Sequence, residues 1–122
     1  MAARFTTELG SVVIDDEVIA KVAGLTALEC YGVVGMASIN VKDGLVQLLL
    51  GDSMTKGIRV KTAGGNTSIE FHIIVEYGTN ISAIADNLIS NVKYTIKDML
   101  GFELADVSVY VEGIRTENQD KA

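Results

Sequence analysis

Residues 58–77 read Ile-Arg-Val-Lys-Thr-Ala-Gly-Gly-Asn-Thr-Ser-Ile-Glu-Phe-His-Ile-Ile-Val-Glu-Tyr, and their pattern decides the fold. Ile58, Val60 and Thr62 alternate with Arg59 and Lys61. After the glycines, Ile69, Phe71, Ile73, Val75 and Tyr77 alternate with Glu70, His72 and Glu76. A period of two marks strands with one buried face. Gly64-Gly65 supplies a two-residue turn, because glycine enters the positive-φ region that such turns need. That turn sets Ala63 opposite Asn66 and Arg59 opposite Glu70. The register puts both apolar sets on one face and pairs opposite charges on the other. It predicts an antiparallel hairpin.

Downstream, Asn80 is placed to cap a helix. Ile81, Ile84, Ala85, Leu88, Val92, Ile96, Met99 and Leu100 recur at the three- and four-residue spacing of one helical face. Lys93 and Lys97 suit its C-terminal half and Gly101 its end. Val107, Val109 and Val111 then alternate with Ser108, Tyr110 and Glu112 in a strand over residues 105–113. A helix between two strands implies parallel pairing through a right-handed crossover.

Upstream, residues 10–14 read as a short strand. Asp15 is placed as an N-cap, with Asp16 and Glu17 as first-turn acids that complement the helix dipole. That helix runs to about Leu28, with Val18, Val22 and Leu25 as its apolar stripe, flanked by Ile19 and Thr26. Ala20, Ala23 and Ala27 allow close packing. The expected architecture is an α/β (α+β) two-layer sandwich: one mixed β-sheet with two main helices packed on one face. Residues 8–115 form the domain, residues 1–7 an N-terminal extension and residues 116–122 a polar, disordered tail.

The 122 residues fit one domain, and 48% apolar with 21% charged residues is a globular composition. No stretch approaches the roughly 20 apolar residues of a membrane span, and the first eight residues lack the apolar core of a signal peptide. Cys30 is the single cysteine, so neither an internal disulfide nor a cysteine metal cluster is available, which favours a reducing compartment. The net charge of −6 repels phosphate backbones and anionic lipid. Arg59 with Lys61, or Lys93 with Lys97, are pairs rather than a basic patch.

Between Ala37 and Lys56 the pattern is weaker. Val41, Leu45, Leu48 and Leu49 fit a turn-spaced face that Val46 and Leu50 extend, and Gly44 and Gly51 limit it to about two helical turns. Two readings stand: the leucines seal an edge of the core, or Leu45, Val46, Leu48, Leu49 and Leu50 form a surface for self-association or partner docking.

The usual catalytic constellations fail on residue types. His72 is the only histidine, which excludes a two-histidine metal site, and its alternation puts it on the open face of a strand. Cys30 follows the first helix without a basic neighbour in sequence, as a buried cysteine would. No phosphate-loop or dinucleotide-binding glycine pattern occurs. Gly32-Val33-Val34-Gly35 matches the G-x-x-G loop with which KH domains clamp nucleic acid. Its two valines and the acidic chain oppose that use, so a KH-like RNA-binding module is the alternative reading rather than the leading one.

Five runs stand in order along the chain: Gly10-Ser-Val-Val-Ile-Asp-Asp-Glu-Val-Ile-Ala, Glu29-Cys-Tyr-Gly-Val-Val-Gly-Met, Lys56-Gly-Ile-Arg-Val, Ile74-Val-Glu-Tyr-Gly-Thr-Asn-Ile and Val107-Ser-Val-Tyr-Val-Glu-Gly-Ile-Arg. They resemble the signatures of the alkaline shock protein family, also called the Gls-type envelope stress response family. Tyr31-Gly-Val-Val-Gly-Met-Ala-Ser, Lys42-Asp-Gly-Leu and Val92-Lys-Tyr-Thr are most similar to its YloU-like branch. The resemblance implies a cytoplasmic protein of Gram-positive type bacteria, with no catalytic residues and no cofactor. It also implies self-association and protein partners near the membrane, such as a membrane-anchored family member or a dihydroxyacetone/fatty-acid-kinase-type protein. Tyr77-Gly78 and the Tyr31–Met36 segment are its most recognisable parts, and both read as structural.

Overall fold

The hairpin forms in the expected register. The computed structural model describes residues 2–38, 48–49 and 51–116. In chain order its elements are β1 (Ala2–Thr7), β2 (Gly10–Asp15), α1 (Asp16–Glu29), β3 (Val33–Ala37), β4 (Leu48–Leu49), a 3-10 helix (Gly51–Gly57), β5 (Ile58–Ala63), β6 (Asn66–Glu76), α2 (Ile81–Leu100) and β7 (Asp106–Arg115). Ala63 stands opposite Asn66 and Arg59 opposite Glu70. Gly64 and Gly65 take φ of 59° and 82°, the positive values that let the turn follow the strand twist.

β7 pairs with β6 in parallel, from Ser68 beside Asp106 to Glu76 beside Arg115. β3 pairs antiparallel to the same strand, Val33 opposite Val75 and Met36 opposite Ile73. A strand has only two edges. Since β7 runs the length of one, β5 and β3 lie end to end along the other. β6 is therefore the spine of a mixed five-stranded sheet, with β4 beyond β3.

Both helices cover one face of this sheet. Ile69, Phe71, Ile73 and Val75 of β6 share one core with Ile84, Leu88, Val92 and Ile96 of α2 and with Ile19, Ala20, Ala23 and Ala27 of α1. The result is the two-layer α+β sandwich read from the sequence. Asn80 caps α2 by accepting a hydrogen bond from the Ala83 N–H at 3.1 Å. Gly101 ends it in the left-handed conformation, its N–H shared between the Ile96 and Lys97 carbonyls. Asp15 caps α1 through the Glu17 N–H at 3.4 Å. Ile81 and Met99, near the two ends of the expected α2 stripe, are exposed, whereas Ile84, Leu88, Val92 and Ile96 are buried.

In the N-terminal part of the chain two features depart from expectation. Residues 2–7, read as an extension, form β1, which pairs antiparallel with β2 from Ala2–Asp15 to Thr7–Gly10 in a separate two-stranded ribbon. Ala3 is buried in the core and the Phe5 ring lies 6.2 Å from that of Phe102, so the ribbon is anchored by the segment following α2. The second departure is the orientation of α1. Its buried face is Ile19, Ala20, Ala23, Gly24 and Ala27, whereas Val18 and Leu25 of the expected stripe are 47% and 51% exposed. Close approach decides this. A Cβ on Gly24 would sit 3.0 Å from both Ile58 Cδ1 and Met54 Cε, so only the small-residue face fits against β5 and the 3-10 helix.

Candidate interaction surface

Of the leucine-rich segment, Leu48 and Leu49 form β4 rather than a helical face, because their backbone joins the ladder of β3, with Ala37 opposite Leu48 and Met36 opposite Leu49. Strand alternation then separates the two side chains. Leu49 belongs to the core while Leu48 is 37% exposed. Leu45, Val46 and Leu50 lie outside the described residues. Another group of exposed apolar side chains is on α1. Val18, Val22 and Leu25 fall at i, i+4 and i+7 along its outer side; Val22 is half-buried and the other two are exposed. Lys21 and Glu29 are exposed on the same side, so the row is a narrow apolar strip flanked by charge.

Apart from the buried Ile74, the open face of β6 is polar. His72 Nε2 lies 2.8 Å from Glu70 Oε2 and His72 Nδ1 lies 3.7 Å from Glu112 Oε1. The imidazole stacks on Tyr110, centroids 4.8 Å apart and planes 14° from parallel. The parallel register brings this about by setting His72 beside Tyr110. Its side chain is 13% exposed, so the lone histidine is a hydrogen-bonded strand residue. The His72 hydrogen bond, aided by the charge of Arg59, holds the Glu70 carboxyl below the usual glutamate range against the opposing effect of burial.

A group whose folded pKa is depressed adds stability above its unfolded pKa and loses it as pH falls through the folded value. Glu70→Gln should therefore cost on the order of 0.5–1 kcal/mol near neutrality. The deficit relative to the parent should shrink between roughly pH 5 and pH 3, as measured by urea unfolding at each pH. A constant deficit across that range would contradict this account of the cluster.

Cys30 is buried, its thiol bonded to the Thr26 carbonyl at 3.4 Å and accepting from Asn91 Nδ2 at 3.4 Å. A cleft of about 310 Å³ lies between β1 and the β5–β6 turn, lined by Arg4, Phe5, Thr62, Thr67, Phe102 and Glu103 among others. Another of about 360 Å³ is lined by Lys93, Tyr94, Lys97, Glu103 and Leu104. Neither contains His72 or Cys30. Among the described residues no group of three or more His, Cys, Asp or Glu is placed to hold a metal ion, and no helix is long and apolar enough to cross a membrane.

Residues 4–116 match the model of the alkaline shock protein 23 family, described as having cell envelope-related function. The chain belongs to that family. Its similarity to the uncharacterized protein YloU of Bacillus subtilis is 43% identity over 119 residues, covering 97% of this chain and 99% of that protein. It is 28% identical to the uncharacterized protein YqhY of the same organism, over 93% of this chain and 83% of that one. A stress response regulator gls24 homolog of Streptococcus pyogenes is 29% identical, over 93% of this chain and 63% of its own length. No solved structure matches.

In this alkaline shock protein 23 domain the signature segments serve the framework. Gly32-Val33-Val34-Gly35 is not a loop between helices, as a KH clamp would be. Val33 to Ala37 is β3, and the Gly32 carbonyl accepts the Glu76 N–H at 2.9 Å. Backbone committed to a ladder is not free to grip phosphates, which removes the residue basis of the RNA-binding alternative. Tyr31 and Tyr77 come to the same end of the β3–β6 ladder, both exposed.

Proposed function

We propose that this family member works without catalysis, as a cytoplasmic interaction protein of the envelope stress response that binds copies of itself and other proteins near the membrane. What carries this reading is the outer side of α1, where an ordered helix holds Val18 and Leu25 half in water. Exposed apolar rows on regular elements of a water-soluble domain are characteristic of surfaces that meet other proteins. Leu48 adds a further exposed apolar side chain on β4. A membrane-anchored family member and a dihydroxyacetone/fatty-acid-kinase-type protein are the partners to seek first.

The test is a cross-linking pull-down from the native cell with sedimentation of the pure protein. Val18→Ser with Leu25→Ser should leave folding stability within about 1 kcal/mol of the parent while cross-linked partners decline. A parent chain that sediments as a monomer at high concentration and captures no protein would remove the proposal.

A further inference from the structure

We propose that β7 is the contact between two copies of this chain, paired antiparallel about a two-fold axis through Tyr110 so that two sheets join into one. The inference rests on the self-association in the functional reading above and assigns it to this sheet edge, which leaves the outer side of α1 for other proteins.

The sheet has three outer edges among the described residues, and two are blunted in the usual ways. β4 is two residues long. β5 carries Arg59 and Lys61 at alternate positions. β7 has ten residues, pairs only with β6 among the described strands, and contains neither lysine nor proline. Its free side offers a long row of backbone donors and acceptors.

The strand is also complementary to itself, and its bulge makes it so. Along β6, Asp106 to Val111 match Ser68 to Ile73 one for one; the register then skips Glu112, and Gly113, Ile114 and Arg115 match Ile74, Val75 and Glu76. Without the skip, Ile114 would lie on the open face and Arg115 on the helix face. With it, Val107, Val109, Val111 and Ile114 share the helix face, and Asp106, Ser108, Tyr110, Gly113 and Arg115 share the open one. The stacking of Tyr110 on His72 and the 3.5 Å contact of Arg115 with Glu76 agree with this assignment.

An antiparallel copy centred on Tyr110 then sets like against like. Val109 meets Val111 of the other copy, Val107 meets Ile114, and Ser108 meets Gly113. At both ends Asp106 meets Arg115. A two-fold axis repeats each contact, as an isologous interface requires. Nothing charged intrudes at the centre: Glu112 turns back over the sheet, its carboxylate 3.7 Å from His72 Nδ1. Residues facing each other across an antiparallel ladder have Cα atoms about 4.5–5.5 Å apart, within disulfide reach.

In a Cys30→Ala background, Tyr110→Cys should therefore give a covalent dimer on mild oxidation. Ser108→Cys should not, because its two copies would lie about 13 Å apart along the strand. Asp106→Arg, at an exposed position, should weaken the dimer about tenfold in sedimentation, and adding Arg115→Glu should restore it. Equal cross-linking of the two cysteine variants would overturn the register. An oligomer that cross-links through neither and ignores Asp106→Arg would overturn this interface while leaving the functional reading intact; a strictly monomeric parent would overturn both.

Discussion

Phe71→Ala should destabilise the protein by about 3–5 kcal/mol, the usual cost of deleting a buried aromatic side chain. Phe71 is fully buried and lies in the middle of β6, with Ile58 beside it on β5 and Val109 on β7. Its ring thus fills the sheet's inner surface where hairpin and parallel strand meet, beneath the helices. Those neighbours belong to backbone ladders on both sides, so they have little freedom to collapse into the space left behind. Domains of this size have only about 5–15 kcal/mol in total, so the variant should retain a fold but with a strongly lowered urea midpoint. Phe71→Leu, which keeps most of the volume, should cost less than half as much. Equal losses for the two variants would show that the cavity is not the cause.

Gly32→Ala should cost about 2–4 kcal/mol from two independent sources. Gly32 has φ +86°, and a Cβ there would lie 2.3 Å from Ile84 Cδ1 and 2.7 Å from Ile84 Cγ1. The first source is the left-handed backbone, which an L side chain resists by roughly 1–2 kcal/mol. The second is the collision with Ile84, a buried residue in the first turn of α2. Moving it would disturb the helix where it meets the sheet, because Gly32 also accepts the Glu76 N–H. Ile84→Val removes the nearer offending carbon. Placed in the Gly32→Ala background it should recover part of the loss, although the same change alone costs about 0.5–1.5 kcal/mol. Thermal unfolding of the four proteins in that cycle measures both terms. Simple additivity of the two changes would disprove the collision.

How much of this was legible in the sequence follows from which residues carried local information. The β5–β6 register was readable because two glycines fixed the turn and every later pairing followed from it. The capped, strongly amphipathic α2 and the parallel β7 were readable for similar reasons. α1 was not. Its largest apolar residues marked a stripe, but the residues that pack are alanines and Gly24, and the need for close approach is set by Ile58 and Met54, distant in sequence. β1 escaped because Glu8-Leu9 is no recognised hairpin turn. Leu48 and Leu49 fitted a helical spacing, yet pairing with β3 outweighed a two-turn helix. The polar cluster around His72 needed the register of β7 against β6, which places Tyr110 beside His72 and which no local pattern announces. The family was legible from five ordered runs, whereas the proposed association surfaces depend on which sides the fold leaves uncovered.

Because β6 borders β3, β5 and β7, the order in which those neighbours arrive constrains how the polypeptide matures during synthesis. Only the β5 contact is local. β3 emerges from the ribosome before β6 is made, and β7 emerges after β6 and α2. Until Asp106–Arg115 is available, one flank of the spine strand keeps a row of unpaired backbone donors and acceptors, the kind of edge through which incomplete chains pair wrongly and aggregate.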